Sequence, residues 1–124
     1  MAILATGLVL IVALIHVYIV ILEMFLWRKE RGRRAFGTDQ EFADKSATLA
    51  ANQGLYNGFL VAGLVWGVLA SVSGSDPIGF QVKVFFLGCV IVAGVYGALT
   101  VSRRILFVQA LPAVVALALV LLAR

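Results

Sequence analysis

Four long apolar stretches, broken by three short polar interruptions, account for almost the whole chain. In the first, residues 3–27, His16 and Glu23 are the only side chains of a type that ionises near or below neutral pH. At about 1.5 Å of rise per residue, a run of this length crosses the roughly 30 Å hydrocarbon layer of a bilayer with some tilt. No positive stretch precedes it and no small-x-small cleavage site closes it, so it reads as a span rather than a cleaved leader. The interruption at 28–38 is basic and leads into Thr38-Asp39-Gln40-Glu41. Thr38 with Glu41 three residues on predicts a capping box, and Asp39 and Glu41 suit the electropositive start of a helix. A second helix is expected over 39–70, too long for the bilayer alone, with its first turns outside the membrane. Ser71 to Pro77 crowds Ser, Gly, Asp and Pro into a turn. Helices at about 78–102 and 105–122 complete the pattern, the last with Pro112 inside it, which spans tolerate when neighbours satisfy the freed carbonyl. The expected architecture is all-α: one membrane four-helix bundle over residues 1–124.

Composition strengthens this reading. Hydrophobic residues make up 63% of the chain and charged ones 13%, about half the charge of a soluble domain. A water-soluble fold of 124 residues would leave much of that apolar surface exposed, and lipid removes the conflict. Cys89 is the single cysteine and Pro112 and Pro77 the two prolines. One cysteine and one histidine exclude an intrachain disulfide and any familiar zinc site, so no metal is expected.

Charge then sets orientation. Of ten basic residues, six fall between Arg28 and Lys45, none in the second interruption and two, Arg103 and Arg104, in the third. The positive-inside rule puts the basic loop 28–38 in the cytosol and both termini outside it. No aromatic and basic interleaving accompanies the charge, so nucleic acid is not an expected partner. The expected surroundings are the lipid bilayer.

Helices in lipid associate through close packing, and small residues mark where. Gly54, Gly58 and Ala62 recur at four-residue spacing, as do Gly63 and Gly67, and Ala93, Gly94 and Gly97 cluster within about a turn. These are expected seams, within one bundle or between copies.

The polar residues inside the spans gather toward the basic end. They are Glu23, then Asn52, Gln53, Tyr56 and Asn57, then Tyr96, Thr100 and Ser102, then Gln109. Only His16 lies near mid-membrane, seven residues and so two turns from Glu23 on one helix face. Unpaired polar groups in hydrocarbon are costly, so this gathering predicts a polar cavity open to the cytosol. Arg28, Arg33, Arg34, Arg103 and Arg104 at its mouth would attract an anion. The competing reading is that Asn and Gln knit helices together while the arginines bind lipid phosphates.

Two resemblances follow from particular runs. Leu22 to Trp27, Leu49 to Phe59 and Ser102 to Pro112 resemble a bacterial family of small inner-membrane proteins classed as a domain of unknown function. That implies a multi-pass protein of the bacterial inner (plasma) membrane and no particular activity. More distantly, the order of first span, basic loop ending in Ala35-Phe36, long helix with a central Asn52, and arginine-bearing turn resembles the MAPEG superfamily of membrane glutathione transferases and eicosanoid enzymes. The MAPEG resemblance implies a homotrimer with glutathione sites near the cytosolic face. Asn52 matches that superfamily's helix-2 asparagine, Arg103 or Arg104 its arginine before the last helix, and Tyr96 lies close to a helix-3 tyrosine. Ala51 and Leu55 stand where it has arginine and glutamate, which removes two charged partners of glutathione.

The expected ligand-binding residues are therefore Glu23, Asn52, Gln53, Tyr56, Asn57, Tyr96, Arg103, Arg104 and Gln109, serving a small amphiphilic or anionic molecule. Glutathione- or lipid-linked transfer is the enzymatic version of this reading. A small proton-linked transporter using His16 and Glu23, and a structural or partner-binding protein, are the alternatives.

Overall fold

The computed structural model describes residues 1–124, all helical apart from short turns. Five α-helices follow one another: α1 (Ala2–Met24), α2 (Glu30–Phe36), α3 (Gln40–Val72), α4 (Asp76–Thr100) and α5 (Leu111–Leu122), with a π-helical turn at Leu106–Ala110 before α5. Three of them, α1, α3 and α4, are long and apolar enough to cross a membrane. The segment Leu106–Leu122, expected from the sequence as a fourth span, is apolar but shorter.

Its interruption has a local cause. Pro112 brings no N–H and its ring would press on the carbonyl four residues back, so an unbroken α-helix is disfavoured there. The chain responds by widening one turn: the Leu111 N–H bonds to the Leu106 carbonyl, five residues back, and α5 restarts with Pro112 in its first turn, where no donor is needed.

The basic segment 28–38 is not simply a loop as expected, because α2 occupies Glu30–Phe36. Glu30 and Arg34 pair across one turn at 2.6 Å, and Gly37 ends the helix with a left-handed φ of 67°, its N–H reaching the Arg33 carbonyl. The capping box expected at Thr38 is replaced by a cap one residue later. Asp39 accepts the Phe42 N–H on Oδ1 at 2.8 Å, while the Thr38 hydroxyl is buried without a partner.

The chain divides into two compact units, His16–Phe59 and Met1–Ile15 with Leu60–Arg124. The larger has the apolar core: Val9 and Val12 of α1, Leu64 and Val68 of α3, Leu87 and Val90 of α4, and Ala113, Ala116 and Val120 of α5. Small residues form its seams. A Cβ on Gly63 would collide with the Phe86 ring, and one on Gly94 would come within 2.8 Å of the Ala110 backbone nitrogen. Gly67 clears space for the stem of Lys83, a largely buried side chain of α4. Gly58, by contrast, faces open space, and Ala62 is exposed.

Candidate functional site

The smaller unit, His16–Phe59, brings the end of α1, the whole of α2 and the start of α3 together. Helix α1 stops after Met24, where the N–H groups of Phe25 and Leu26 both turn back to the Ile21 carbonyl. The chain then folds sharply into α2, and Gly32 is buried against the Leu26 carbonyl, an approach that any side chain would block. Trp27 holds this junction. Its indole N–H donates to the Ser46 hydroxyl of α3 at 3.0 Å, Ser46 donates in turn to the Phe42 carbonyl, and the indole packs on Phe36 of α2 with ring centroids 4.9 Å apart.

One turn before Trp27, Glu23 is 9% exposed and accepts a 2.7 Å hydrogen bond from the Asn57 amide of α3. The same amide donates to the Gln53 carbonyl in its own helix. Gly54 makes the cross-helix bond feasible: a Cβ there would strike the Met24 side chain and come within 3.2 Å of Glu23 Cβ. The polar pair thus depends on a missing side chain one turn away.

Between these elements lies a cavity of about 560 Å³, within the roughly 300–1,000 Å³ of small-ligand sites. Glu23 and Trp27 line it with Arg28, Lys29 and Arg33 from the basic segment, and Gln40 and Asp44 from α3. Arg33 Nε donates to the Arg28 carbonyl at 3.3 Å, and Gln40 Nε2 donates to Asp44 Oδ1 at 2.8 Å. None of the three cations pairs with a carboxylate, since the two ion pairs of the chain are Glu30 with Arg34 and Glu41 with Lys45.

Of the residues expected to form a site, Glu23 and Asn57 meet, and the Gln53 carbonyl joins them. Asn52, Gln53 and Tyr56 have exposed side chains on α3; Asn52 donates to the Thr48 carbonyl of its own helix, and Tyr56 leans on Phe59. Tyr96, Arg103, Arg104 and Gln109 belong to the larger unit. There Tyr96 is exposed beside a wide apolar groove with Gly88, Cys89 and Ala93, Arg103 and Arg104 are exposed in the turn after α4, and Gln109 is half-buried in the π turn. No three His, Cys, Asp or Glu side chains gather as a metal site.

Comparison with known proteins gives a family. The family described as "Protein of unknown function (DUF1304)" matches residues 10–121. The chain belongs to it. A DUF1304-type relative over nearly its full length is "Uncharacterized protein YpaA" of Lactococcus lactis subsp. lactis (strain IL1403), 33% identical over 119 residues, which are 94% of this chain and 96% of that protein. No solved structure matches. Neither match names the glutathione transferases or supports a resemblance to them.

The segment matched by DUF1304 contains every residue lining the recess. Arg28 and Arg33 are expected from sequence both as topology markers and as attractors of an anion at a cavity mouth, Lys29 only as a topology marker and Gln40 only as part of a helix start, while Asp44 draws no notice there. The signals were nevertheless present: Trp27 follows Glu23 by one turn, and Gln40 precedes Asp44 by the four residues that let an amide hold a carboxylate on one helix face.

Proposed function

We propose that this DUF1304 chain is a multi-span membrane protein whose recess at the end of α1 binds a small amphiphile whose headgroup carries a phosphate or other anionic group. The observation that carries the reading is the 560 Å³ cavity in which Arg28, Lys29 and Arg33, none paired to a carboxylate, sit beside the end of an apolar helix. Met24 and Phe25 add apolar contact, suited to a molecule that is part hydrocarbon. The concentration of basic residues around α2 favours a recess on the cytosolic side of the plasma membrane with both termini opposite.

Self-association belongs to the same proposal. Asn52, Gln53 and Tyr56 are exposed on α3 beside an open Gly58 and Ala62, and polar groups on an apolar helix are stabilised when a second helix covers them. The homotrimer implied by the MAPEG resemblance is the specific form proposed. Gly58→Leu would then break the oligomer in native mass spectrometry while leaving the helical content of each chain unchanged.

The binding test uses lysophosphatidic acid, an anionic amphiphile, titrated into the full chain in neutral detergent. Retention in native mass spectrometry and a raised unfolding temperature are expected, with both lost in Arg28→Ala/Arg33→Ala. Equal retention by that double variant would sink the reading. A proton-linked transporter is the second reading, favoured by His16 and Glu23, both buried in α1 two turns apart; proton flux into proteoliposomes that persists in His16→Gln and Glu23→Gln would eliminate it.

A further inference from the structure

The recess contains charges of both signs that do not neutralise one another. Arg28, Lys29 and Arg33 contribute three cations; Glu23 and Asp44 contribute two carboxyl groups. The third carboxylate of the lining, Glu30, is engaged by Arg34 and is not free for a ligand.

Opposite charges sharing one cavity attract and ordinarily close into ion pairs unless something holds them apart. Here Asp44, Glu23 and Arg33 each take a neutral partner instead. The Gln40 amide fixes Asp44 at 2.8 Å, the Asn57 amide fixes Glu23 at 2.7 Å, and the Arg28 carbonyl takes Arg33 Nε at 3.3 Å. The cations come from the connection between α1 and α2 and from α2 itself, whereas the carboxyl groups stand on α1 and α3. No cation of the lining is in an ion pair with Glu23 or Asp44, and the space they share is large enough for a small headgroup.

We infer that the recess recognises a zwitterionic headgroup of the phosphoethanolamine type, its phosphate facing Arg28, Lys29 and Arg33 and its primary ammonium facing Asp44 and Glu23. This rests on the recess being the binding site proposed above and adds the chemistry of its ligand. A purely anionic headgroup would satisfy the cations and leave two carboxyl groups facing negative charge. A phosphocholine headgroup carries the right charges, but its trimethylated nitrogen has no N–H to donate, so it satisfies neither carboxyl by hydrogen bonding. A primary ammonium offers three donors for two fixed acceptors.

The test presents the full chain in neutral detergent with equal amounts of palmitoyl-oleoyl phosphatidylethanolamine, phosphatidylglycerol and phosphatidylcholine, and counts retained lipid by native mass spectrometry. Phosphatidylethanolamine is expected to be retained about tenfold over each of the others, the factor that about one net hydrogen bond to an exposed carboxylate supplies. Asp44→Asn, an isosteric change at an exposed position, removes that preference and leaves phosphatidylglycerol retention unchanged or higher; Glu23→Gln, which keeps an acceptor for Asn57, acts in the same direction. Glu41→Gln, on α3 outside the recess, changes nothing. Soluble phosphoethanolamine that displaces the lipid at equal concentration identifies a free headgroup compound as the source, and failure to displace it identifies the lipid. Equal retention of phosphatidylglycerol, unmoved by Asp44→Asn, overturns the inference while the anionic-amphiphile reading stands. Retention of none of the three lipids, nor of lysophosphatidic acid, overturns both.

Discussion

Asn57 on α3 donates a 2.7 Å hydrogen bond to the Glu23 carboxyl near the end of α1, linking positions 34 residues apart in sequence. The bond satisfies an acid that α1 carries into an apolar setting, and it fixes the carboxyl at one edge of the recess. Replacing Asn57 with Leu leaves Glu23 without this donor and is expected to cost about 1–2 kcal/mol. Thermal unfolding in detergent measures the loss. Glu23→Gln, which keeps an acceptor oxygen for the same amide, should lose clearly less, and equal losses would contradict the assigned bond.

Thr38 and Asp39 are expected to respond in opposite senses. Asp39→Ala removes the acceptor for the Phe42 N–H and should destabilise the start of α3 by about 1 kcal/mol. Thr38→Val replaces a buried, unpartnered hydroxyl with a methyl group of the same shape and should stabilise by up to about 1 kcal/mol. Amide hydrogen exchange in the first turn of α3, read beside the unfolding temperature, separates the two.

Glycines divide by what a side chain would meet. Gly32→Ala drives a Cβ into the Leu26 carbonyl, and Gly94→Ala drives one into the Ala110 backbone; neither obstacle can rotate away, so each substitution should cost about 1–3 kcal/mol. Gly7→Ala and Gly88→Ala meet nothing within 4 Å and should be neutral or stabilise by up to about 1 kcal/mol through helix propensity. Unfolding temperatures of the four variants, measured side by side, check the division.

Trp27→Phe keeps an aromatic ring against Phe36 but removes the donor to Ser46. A loss of about 0.5–1.5 kcal/mol is expected, confined to the unit His16–Phe59. Faster proteolysis at the arginines of the basic segment, with α4 and α5 still protected, is the expected pattern.

Sequence reading succeeds here where a rule depends on neighbours along the chain. The three spanning-length helices, the Gly74 turn and the seams at Gly63, Gly67 and Gly94 follow from apolar run length, turn residues and small-residue spacing, all of which are local. It fails where two local rules compete. Thr38 and Asp39 both satisfy the chemistry of a helix cap, and only the path of the chain after Gly37 gives the role to Asp39. Likewise Pro112 predicts disturbance in the last helix, but not that the chain answers by widening a turn. At the candidate site the polar residues of the spans point to Glu23 and Asn57, while Asp44 escapes notice because an exposed acid in a helix's early turns looks like ordinary surface until the cavity beside it is known.

The wide turn from Leu106 to Ala110 works as an expansion joint hidden in an otherwise regular rod. A chain that lost one residue there could keep Ala113, Ala116 and Val120 in their places against the core and still continue as a helix. The same loss would leave Arg103 and Arg104 where they are, in the turn after α4, because four α-helical residues cover about the same rotation as the five of the wide turn. The wide turn is therefore the place in this segment where a one-residue change of length is absorbed with the least disturbance on either side.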